Sequence, residues 1–521
     1  MEKLYCLPFL RICLFLIAGI IFGLYLPQLT IPEWALLPPV LALIAAQLCP
    51  TFSQYRLRWV SGATLLTFLI LAGDIRTRQT TPVIWDRDVQ GTPYLLAKIT
   101  DIPQEKRATY SAPVLLFGEH LPLETQAMLL VAKDSASSAL REGDILFFPS
   151  WTVGKQKETN GYETYLRNIG FSGSIYVPKN KWKRIGHDTH DTPLRKAREV
   201  RQRIEKIYES NNLEGEELAI ASALTIGDKT LLTQELKTSY SATGASHVLA
   251  VSGLHVGIIY LVITTLMRII PGGARLKRTR IILSLCALWS YAFIAGLSAS
   301  VVRASTMLTL VALGEMLERK STTLNTVFAS AFIMLIYNPR YLLDVGFQLS
   351  YAAVISILLL QKHIYHTIRC HGFLPDKIWS LTSVSIAAQL GTMPIMLYHF
   401  HQFSNCFWLS GLIVIPLATL LIYGCGLMTV FHSIESVSSF IGMVVSHLIR
   451  FMNGGIRWME TLPHAFVEGI RFTSLDLILL YAILAATLAT SLSRSFRRIS
   501  TLFSLLLIYL GYLTTTKIFM G

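Results

Sequence analysis

Charge is scarce in this chain. Only 15% of its 521 residues are Asp, Glu, Lys or Arg and 52% are hydrophobic, whereas an ordinary soluble domain carries roughly a quarter charged residues. A single soluble enzyme is therefore excluded. Runs near both ends supply the roughly 20 apolar residues that a spanning helix needs, and one polar stretch, about 74 to 215, separates them. Cysteine offers no framework: Cys6, Cys13, Cys49, Cys286, Cys370, Cys406 and Cys425 are scattered, largely in apolar segments, with no CxxC pair, so neither a zinc ribbon nor a disulfide scaffold is indicated. No GxxxxGK[ST] occurs, and GDKT at 227–230 lacks the upstream glycine of a phosphate loop, which excludes ATP hydrolysis by that route. No metal or other cofactor is expected. HDTHD at 187–191 sets His187 and His190 three apart, but in a polar linker, where a solvated loop is a simpler reading than a zinc site with a fixed second shell.

What charge there is leans positive, 46 Lys and Arg against 32 Asp and Glu. Basic cytoplasmic loops account for most of that excess, with a polyanionic substrate as the competing reading. Phe9 to Leu26 follows Lys3 but lacks a small-residue cleavage site, so it reads as a retained span. Spans near Trp34–Cys49 and Leu57–Gly73 flank a turn carrying Arg56 and Arg58, while Pro27–Glu33 carries no Lys or Arg. That asymmetry places the N-terminus in the cytoplasm and residue 74 onward outside. About ten more crossings fall near 246–267, 281–297, 300–316, 323–337, 341–361, 380–400, 406–431, 434–452, 474–492 and 499–516. The expectation is a polytopic α-helical membrane protein of about 13 spans, C-terminus outside, in four parts: 1–75 transmembrane, 76–190 an extracytoplasmic β domain, 191–212 a basic amphipathic helix, and 213–521 the main transmembrane domain.

Short β-prone runs punctuated by Gly, Pro and charge recur at Tyr94–Ile99, Val114–Phe117, Ala127–Val131, Asp144–Phe148 and Ile175–Val177. Five such strands suit a small OB-like β-barrel, although periodicity leaves other small β folds open. Trp151, Tyr162, Tyr165 and Tyr176 are candidates either for stacking bases or for the barrel core. In Leu194–Tyr208, Leu194, Ala197, Ile204 and Tyr208 form one helical stripe and Arg195, Lys196, Arg198, Arg201, Arg203 and Lys206 load the rest. Such a helix suits an anionic lipid surface or nucleic-acid phosphate.

The densest signal is 223–259, where a polar, glycine-rich run leads directly into an apolar segment. Irregular backbone is too costly against lipid and must pack in protein or line a wet cavity. Gly227, Gly244, Gly253 and Gly257 permit close backbone approach, and Asp228, Lys229, His247, Ser252 and His255 bring polar groups to membrane depth, where ionisable residues point to function. His247 and His255 have no third ligand in register, so packing or gating outweighs a metal. Arg303 lies in an otherwise apolar run and suits either a helix–helix clamp or a lining for phosphate; Asp344 is a candidate partner or a helix cap. Gln348, Ser350 and Gln389 suit interhelical hydrogen bonds or contact with passing bases. Read from residue types alone, an intramembrane hydrolase using Asp228, His247, Ser252 or His255, or a secondary transporter of small anions, stays open beside a DNA passage.

The run ALTIGDKTLLTQELKTSYSATGASHVLAVSGLHVGII (223–259) resembles the signature of the ComEC family of competence channels. NGYETYLRNIGFSGSIYV, with Gly161 and Tyr162, is similar to the end of that family's OB-type domain. AGLSASVVRASTM (295–307), NPRYLLDVGFQLSYAA (338–353) and AAQLGTMPIMLYHFHQFS (387–404) resemble its competence-domain blocks. The resemblance implies an inner-membrane channel for single-stranded DNA, not an enzyme; on that reading the passage residues are expected to be Asp228, Lys229, His247, Ser252, Gly253, His255, Gly257, Arg303, Gln348, Ser350 and Gln389, with DNA contacts in the OB-like domain expected at Trp151, Tyr162 and Tyr165. It implies as partners single-stranded DNA, membrane lipid, a periplasmic DNA receptor, and a cytoplasmic DNA motor or single-strand-binding proteins. Three features depart from the family: Gly411 stands where it has Asn ahead of Pro416, the NPGGFDY-like wording of the OB-type block is kept only as Asn160, Gly161 and Tyr162, and the sequence stops at Gly521 without the metallo-β-lactamase-like domain many members carry, so no nuclease activity from it is expected.

Overall fold

The computed structural model describes residues 7–26, 31–48, 58–82, 93–118, 125–152, 161–188, 193–269, 276–318, 322–492, 501–507 and 509. They divide into two compact units, 1–193 with 328–344, and 194–327 with 345–521.

In the first unit, α1 (Pro8–Tyr25) packs on α3 (Arg58–Gln79), with α2 (Leu37–Leu48) beside them. Glycine sets the spacing. A Cβ on Gly19 would collide with the Ile70 carbonyl oxygen, and one on Gly73 would lie 2.7 Å from that of Leu16. Small residues four apart, Gly19 and Gly23, are the device that brings helices together where lipid removes the hydrophobic drive. Asp74 is fully buried and meets Arg78 one turn on at 2.8 Å, so its carboxylate enters the helix pair already partnered.

The same unit holds β1 (Tyr94–Ile99), β2 (Gln104–Glu105), β3 (Thr109–Phe117), β4 (Thr125–Ala132), β5 (Asp144–Pro149), β6 (Ser174–Val177) and β7 (Lys183–His187), with α4 (Gly161–Asn168) before β6. The order is β6-β4-β3-β1-β5-β7, with β2 on β3; β4 and β6 run parallel and the other pairs antiparallel. Alternation in β1, β4 and β5 turns Leu95, Ala97, Ile99, Ala127, Leu129, Val131, Leu146 and Phe148 into one core, as period-2 patterning requires. The five expected strands all fall within β1, β3, β4, β5 and β6. The expected closed barrel does not form: β7 takes the edge of β5 that a closing strand would need, and β6 and β7 remain the two ends of the path.

The second unit begins with α5 (Pro193–Ser210), α6 (Gly215–Thr225) and α7 (Gln234–Ala242). It continues through α8 (Gly253–Ile269), α9 (Lys277–Ile294), α10 (Ala299–Met316), α12 (Val345–Tyr365), α13 (Phe373–Phe400), α14 (Phe407–Val430), α15 (Glu435–Glu460) and α16 (Ser474–Leu492), while α11 (Thr323–Tyr337) straddles the division. Its core gathers α6, buried from Leu218 to Thr225, with α7, α14 and α15. A small hairpin joins β8 (Gln402–Ser404) to β9 (Phe466–Glu468).

Among the described residues six helices are long and apolar enough to cross a membrane, α1, α3, α10, α12, α13 and α14, and four shorter helices are apolar. The expected span at 246–267 is a shorter helix, α8, preceded by a 3-10 turn at Ser246–Val248. The expected last span, 499–516, falls mostly outside the described residues. In the first unit the buried Arg340 donates to the carbonyls of Thr80 at 2.8 Å and Arg167 at 2.6 Å. The end of α3, the end of α4 and the 339–343 turn therefore meet. Burial pulls the Arg340 guanidinium down to about 10, because desolvation disfavours its charged form.

Candidate functional site

The site grows from the C-terminus of α6. Gly227 turns the chain at φ +76°, and a Cβ there would lie 2.8 Å from the Ala295 carbonyl oxygen; only glycine combines that backbone conformation with so close an approach. Asp228 follows, half-buried, its carboxylate accepting from the backbone and hydroxyl of Thr230 at 2.8 and 2.6 Å, a local Asx turn. Lys229 is exposed. Tyr291 of α9 donates to the Thr225 carbonyl at 2.9 Å, which ties α9 to the same turn.

The second strand of contacts runs through 251–257. Ser252 caps α8: its hydroxyl accepts the His255 backbone N–H at 3.4 Å, and His255 Nδ1 accepts the Ser252 backbone N–H at 3.3 Å. This is the reciprocal geometry of a capping box with histidine in place of Glu or Gln. His255 is buried, so its ring is held as part of the cap. Ser300 of α10 donates to the Val251 carbonyl at 2.7 Å, and a Cβ on Gly253 would lie 3.6 Å from that of Ala304. One turn from Ser300, Arg303 is 5% exposed on α10. The structure thus brings 225–228 to the α9–α10 corner, and 251–253 to the first turns of α10.

His247 is exposed, its Nδ1 3.2 Å from the Gly244 carbonyl, and Gly257 has open space where a Cβ would go. Gln348 and Ser350 are half-buried on α12, and Gln389 on α13. In the β-sheet unit Tyr162 and Tyr165 are 37% and 53% exposed, their rings 6.5 Å apart, and Tyr176 is exposed on β6, so none of the three is core. The Trp151 side chain and His190 lie outside the described residues. His187 pairs through Nδ1 with the buried Asp144 at 2.9 Å, and no cluster of three His, Cys, Asp or Glu suited to a metal occurs among the described residues.

The basic helix α5 contributes a feature that the sequence pattern did not single out. Arg201 donates through Nε and Nη2 to the Ile294 carbonyl at 3.0 and 2.9 Å, and a Cβ on Gly296 (φ +80°) would lie 2.7 Å from that guanidinium. A cation on the last carbonyls of a helix satisfies orphan acceptors and the macrodipole together. The signal available in the sequence was an arginine on the stripe edge and the glycine of AGLSAS, but nothing in either names the other. One turn further, burial raises the Glu205 carboxyl to about 6, with Asp228 adding to the rise and Arg201 opposing it.

Six apolar helices of spanning length mark a multi-pass membrane protein that also holds a small mixed sheet. The family model for Competence protein matches residues 224–495, and the chain belongs to that family as a ComEC-type member. ComE operon protein 3 of Bacillus subtilis is 36% identical over 200 residues, 38% of this chain and 24% of the relative. Recombination protein 2 of Haemophilus influenzae is 24% identical over 239 residues, 44% and 30% of the two chains. An uncharacterized protein of Aquifex aeolicus is 31% identical over 180 residues, 34% of this chain and 40% of its own. The chain therefore spans under half the length of these curated relatives. No solved structure matches it.

Proposed function

We propose that this protein serves DNA uptake for competence, as a bacterial plasma-membrane conduit through which single-stranded DNA passes around the 223–259 segment and Arg303. The observation that carries the reading is the seam in which Gly227 approaches the Ala295 carbonyl and the Ser300 hydroxyl donates to the Val251 carbonyl, inside the region matched by the competence family. Irregular polar backbone in a membrane domain is tolerated where it lines a cavity or packs in protein, and Arg303 offers the fork that phosphate oxygens accept. Full threading gives about 13 spans with the N-terminus cytoplasmic and the C-terminus outside, and the open β domain meets DNA on the outer face. The driving force comes from partners: a periplasmic receptor, and a cytoplasmic motor or single-strand-binding proteins. The hydrolase reading is less favoured, because Ser252 Oγ and His255 Nδ1 each accept a backbone N–H in the cap and are not paired as nucleophile and base.

The test is import of labelled DNA in a competent strain lacking its own uptake channel and complemented by this chain. Restored import of one strand supports the reading; a correctly inserted protein that restores none contradicts it.

A further inference from the structure

The C-terminus of α6 faces a carboxyl group that the passage does not use. Glu205 reaches it from α5, half-buried, one turn beyond the Arg201 clamp. Two oxygens there are buried and in no hydrogen bond among the described residues: Oε1 of Glu205, and Oγ of Ser222, a fully buried residue of α6. Buried polar atoms are nearly always paired. A proton accounts for both being left over beside a second carboxylate, because an ionised carboxylate only accepts, whereas a protonated one also donates. Asp228 supplies an acceptor: both bonds from Thr230 fall on its Oδ1, and the other oxygen stays open to a donor.

The charges around Glu205 come from two elements. Burial is the main cause that keeps a proton on its carboxyl, Asp228 in the turn after α6 is the next, and Glu209 on α5 adds a little; Arg201 and the Ser222 hydroxyl oppose them. Arg198, buried two turns earlier on the same face of α5, completes the strip. The helix itself is fixed on both sides of Glu205. Arg201 holds the Ile294 carbonyl, and the Tyr208 hydroxyl lies 3.0 Å from that of Thr225 in the core. The turn opposite is held less firmly. Gly227 is pinned under the Ala295 carbonyl, but Asp228 donates its backbone N–H to the Ser222 carbonyl at a long 3.3 Å, and Lys229 and Thr230 are exposed.

We propose that Glu205, Ser222 and Asp228 form a proton-binding site, and that its proton fastens the 228–230 turn onto α5. Loss of the proton sets two carboxylates against each other, and the exposed turn gives way because the helix is anchored. The folded Glu205 carboxyl is raised to about 6, so the turn is held at pH below that value and released above it. The site needs no DNA and stands whether or not the uptake reading does.

The test is hydrogen exchange by mass spectrometry on the full chain in nanodiscs, corrected for the intrinsic pH dependence of exchange and followed from about pH 5 to about pH 8. Infrared detection of the protonated-carboxyl C=O band runs alongside. Protection of the peptide over 226–232 should fall several-fold with a midpoint at about 6, and the infrared band should fade with the same midpoint. Glu205→Gln, which keeps the shape of the neutral acid, should hold protection at its low-pH level throughout and remove the band. Asp228→Asn should move the midpoint down by roughly one pH unit, a tenfold loss of proton affinity, and Ser222→Ala should move it up; a fold defect would not shift the two in opposite directions. A midpoint that ignores Asp228→Asn would leave Glu205 a carboxyl raised by burial alone and overturn the shared site. A band that titrates while exchange over 226–232 stays constant would overturn the fastening of the turn.

Discussion

The sheet of the first unit and the 225–304 seam of the second solve the same problem in opposite ways. In the sheet, side chains do the packing: alternation sends Leu95, Leu129, Leu146 and Phe148 inward, and backbone groups pair strand to strand. In the seam, missing side chains let the backbone approach a carbonyl at one point and a guanidinium at another. Gly227 lies under the Ala295 carbonyl and Gly296 under the Arg201 guanidinium, whereas a Cβ on Gly253 would meet Ala304 only at ordinary contact distance. A sheet core can relax around a smaller residue. At Gly227 the seam cannot admit a larger one, because its Cβ would meet a backbone carbonyl rather than a side chain that can turn aside.

That contrast is easiest to break at Gly227. Gly227→Val puts a β-branched side chain at positive φ and against a backbone oxygen, combining about 1–2 kcal/mol of left-handed strain with about 1–3 kcal/mol of overpacking. The expected result is a protein that fails to accumulate in membranes, read by immunoblot of the membrane fraction; wild-type levels would show the seam to be loose. Leu129→Ala, at the centre of β4, should destabilise by about 2–5 kcal/mol. Hydrogen exchange should rise in β1, β3 and β4 while α6 to α10 keep their protection, and protection lost in both would make sheet and seam a single cooperative unit.

Smaller effects sharpen the contrast. Arg201→Ala removes two charge-assisted bonds to Ile294, worth about 1.5–3 kcal/mol in total for a charged donor, and should raise exchange at the α9–α10 corner first. Arg201→Lys should rescue it only in part, since a point charge replaces a fork. The smallest effect is a pH dependence. Because the folded Glu205 carboxyl is raised to about 6, the folded state holds its proton more tightly than the unfolded chain. Stability from this group is therefore gained as pH falls from 7 through 6 toward the ordinary carboxylate value, and is lost on the way back. Glu205→Gln should flatten that part of the thermal-unfolding profile in detergent; an unchanged profile would place the proton elsewhere.

How much of the molecule was legible in its sequence depended on the range of the interaction. Tyr94–Ile99 coincides with β1 and Leu194–Tyr208 falls within α5, because alternation and a helical stripe are local. The short β2, the edge strand β7 and α4 were not foreseen, since β7 reads as a basic linker until its pairing with β5 is seen. The expected barrel failed for the same reason: which strand takes an edge is decided by partners forty residues apart, Asp144 with His187. In the candidate site, the glycines and Ser252, His255 and Arg303 could be picked out by type, yet their contacts could not. The Ala295 and Ile294 carbonyls that Gly227 and Arg201 meet belong to every residue alike and leave no mark in a sequence.

The central claim is that the seam and Arg303 serve passage of a polyanion, and it is tested most directly by import of labelled DNA through Arg303→Ala and Gly253→Leu variants in the complemented strain. Both proteins should reach the membrane at normal levels and import less than about a tenth of wild type, a deficit on the order of 1.4 kcal/mol in the rate-limiting barrier or more. Undiminished import by both variants would contradict the claim.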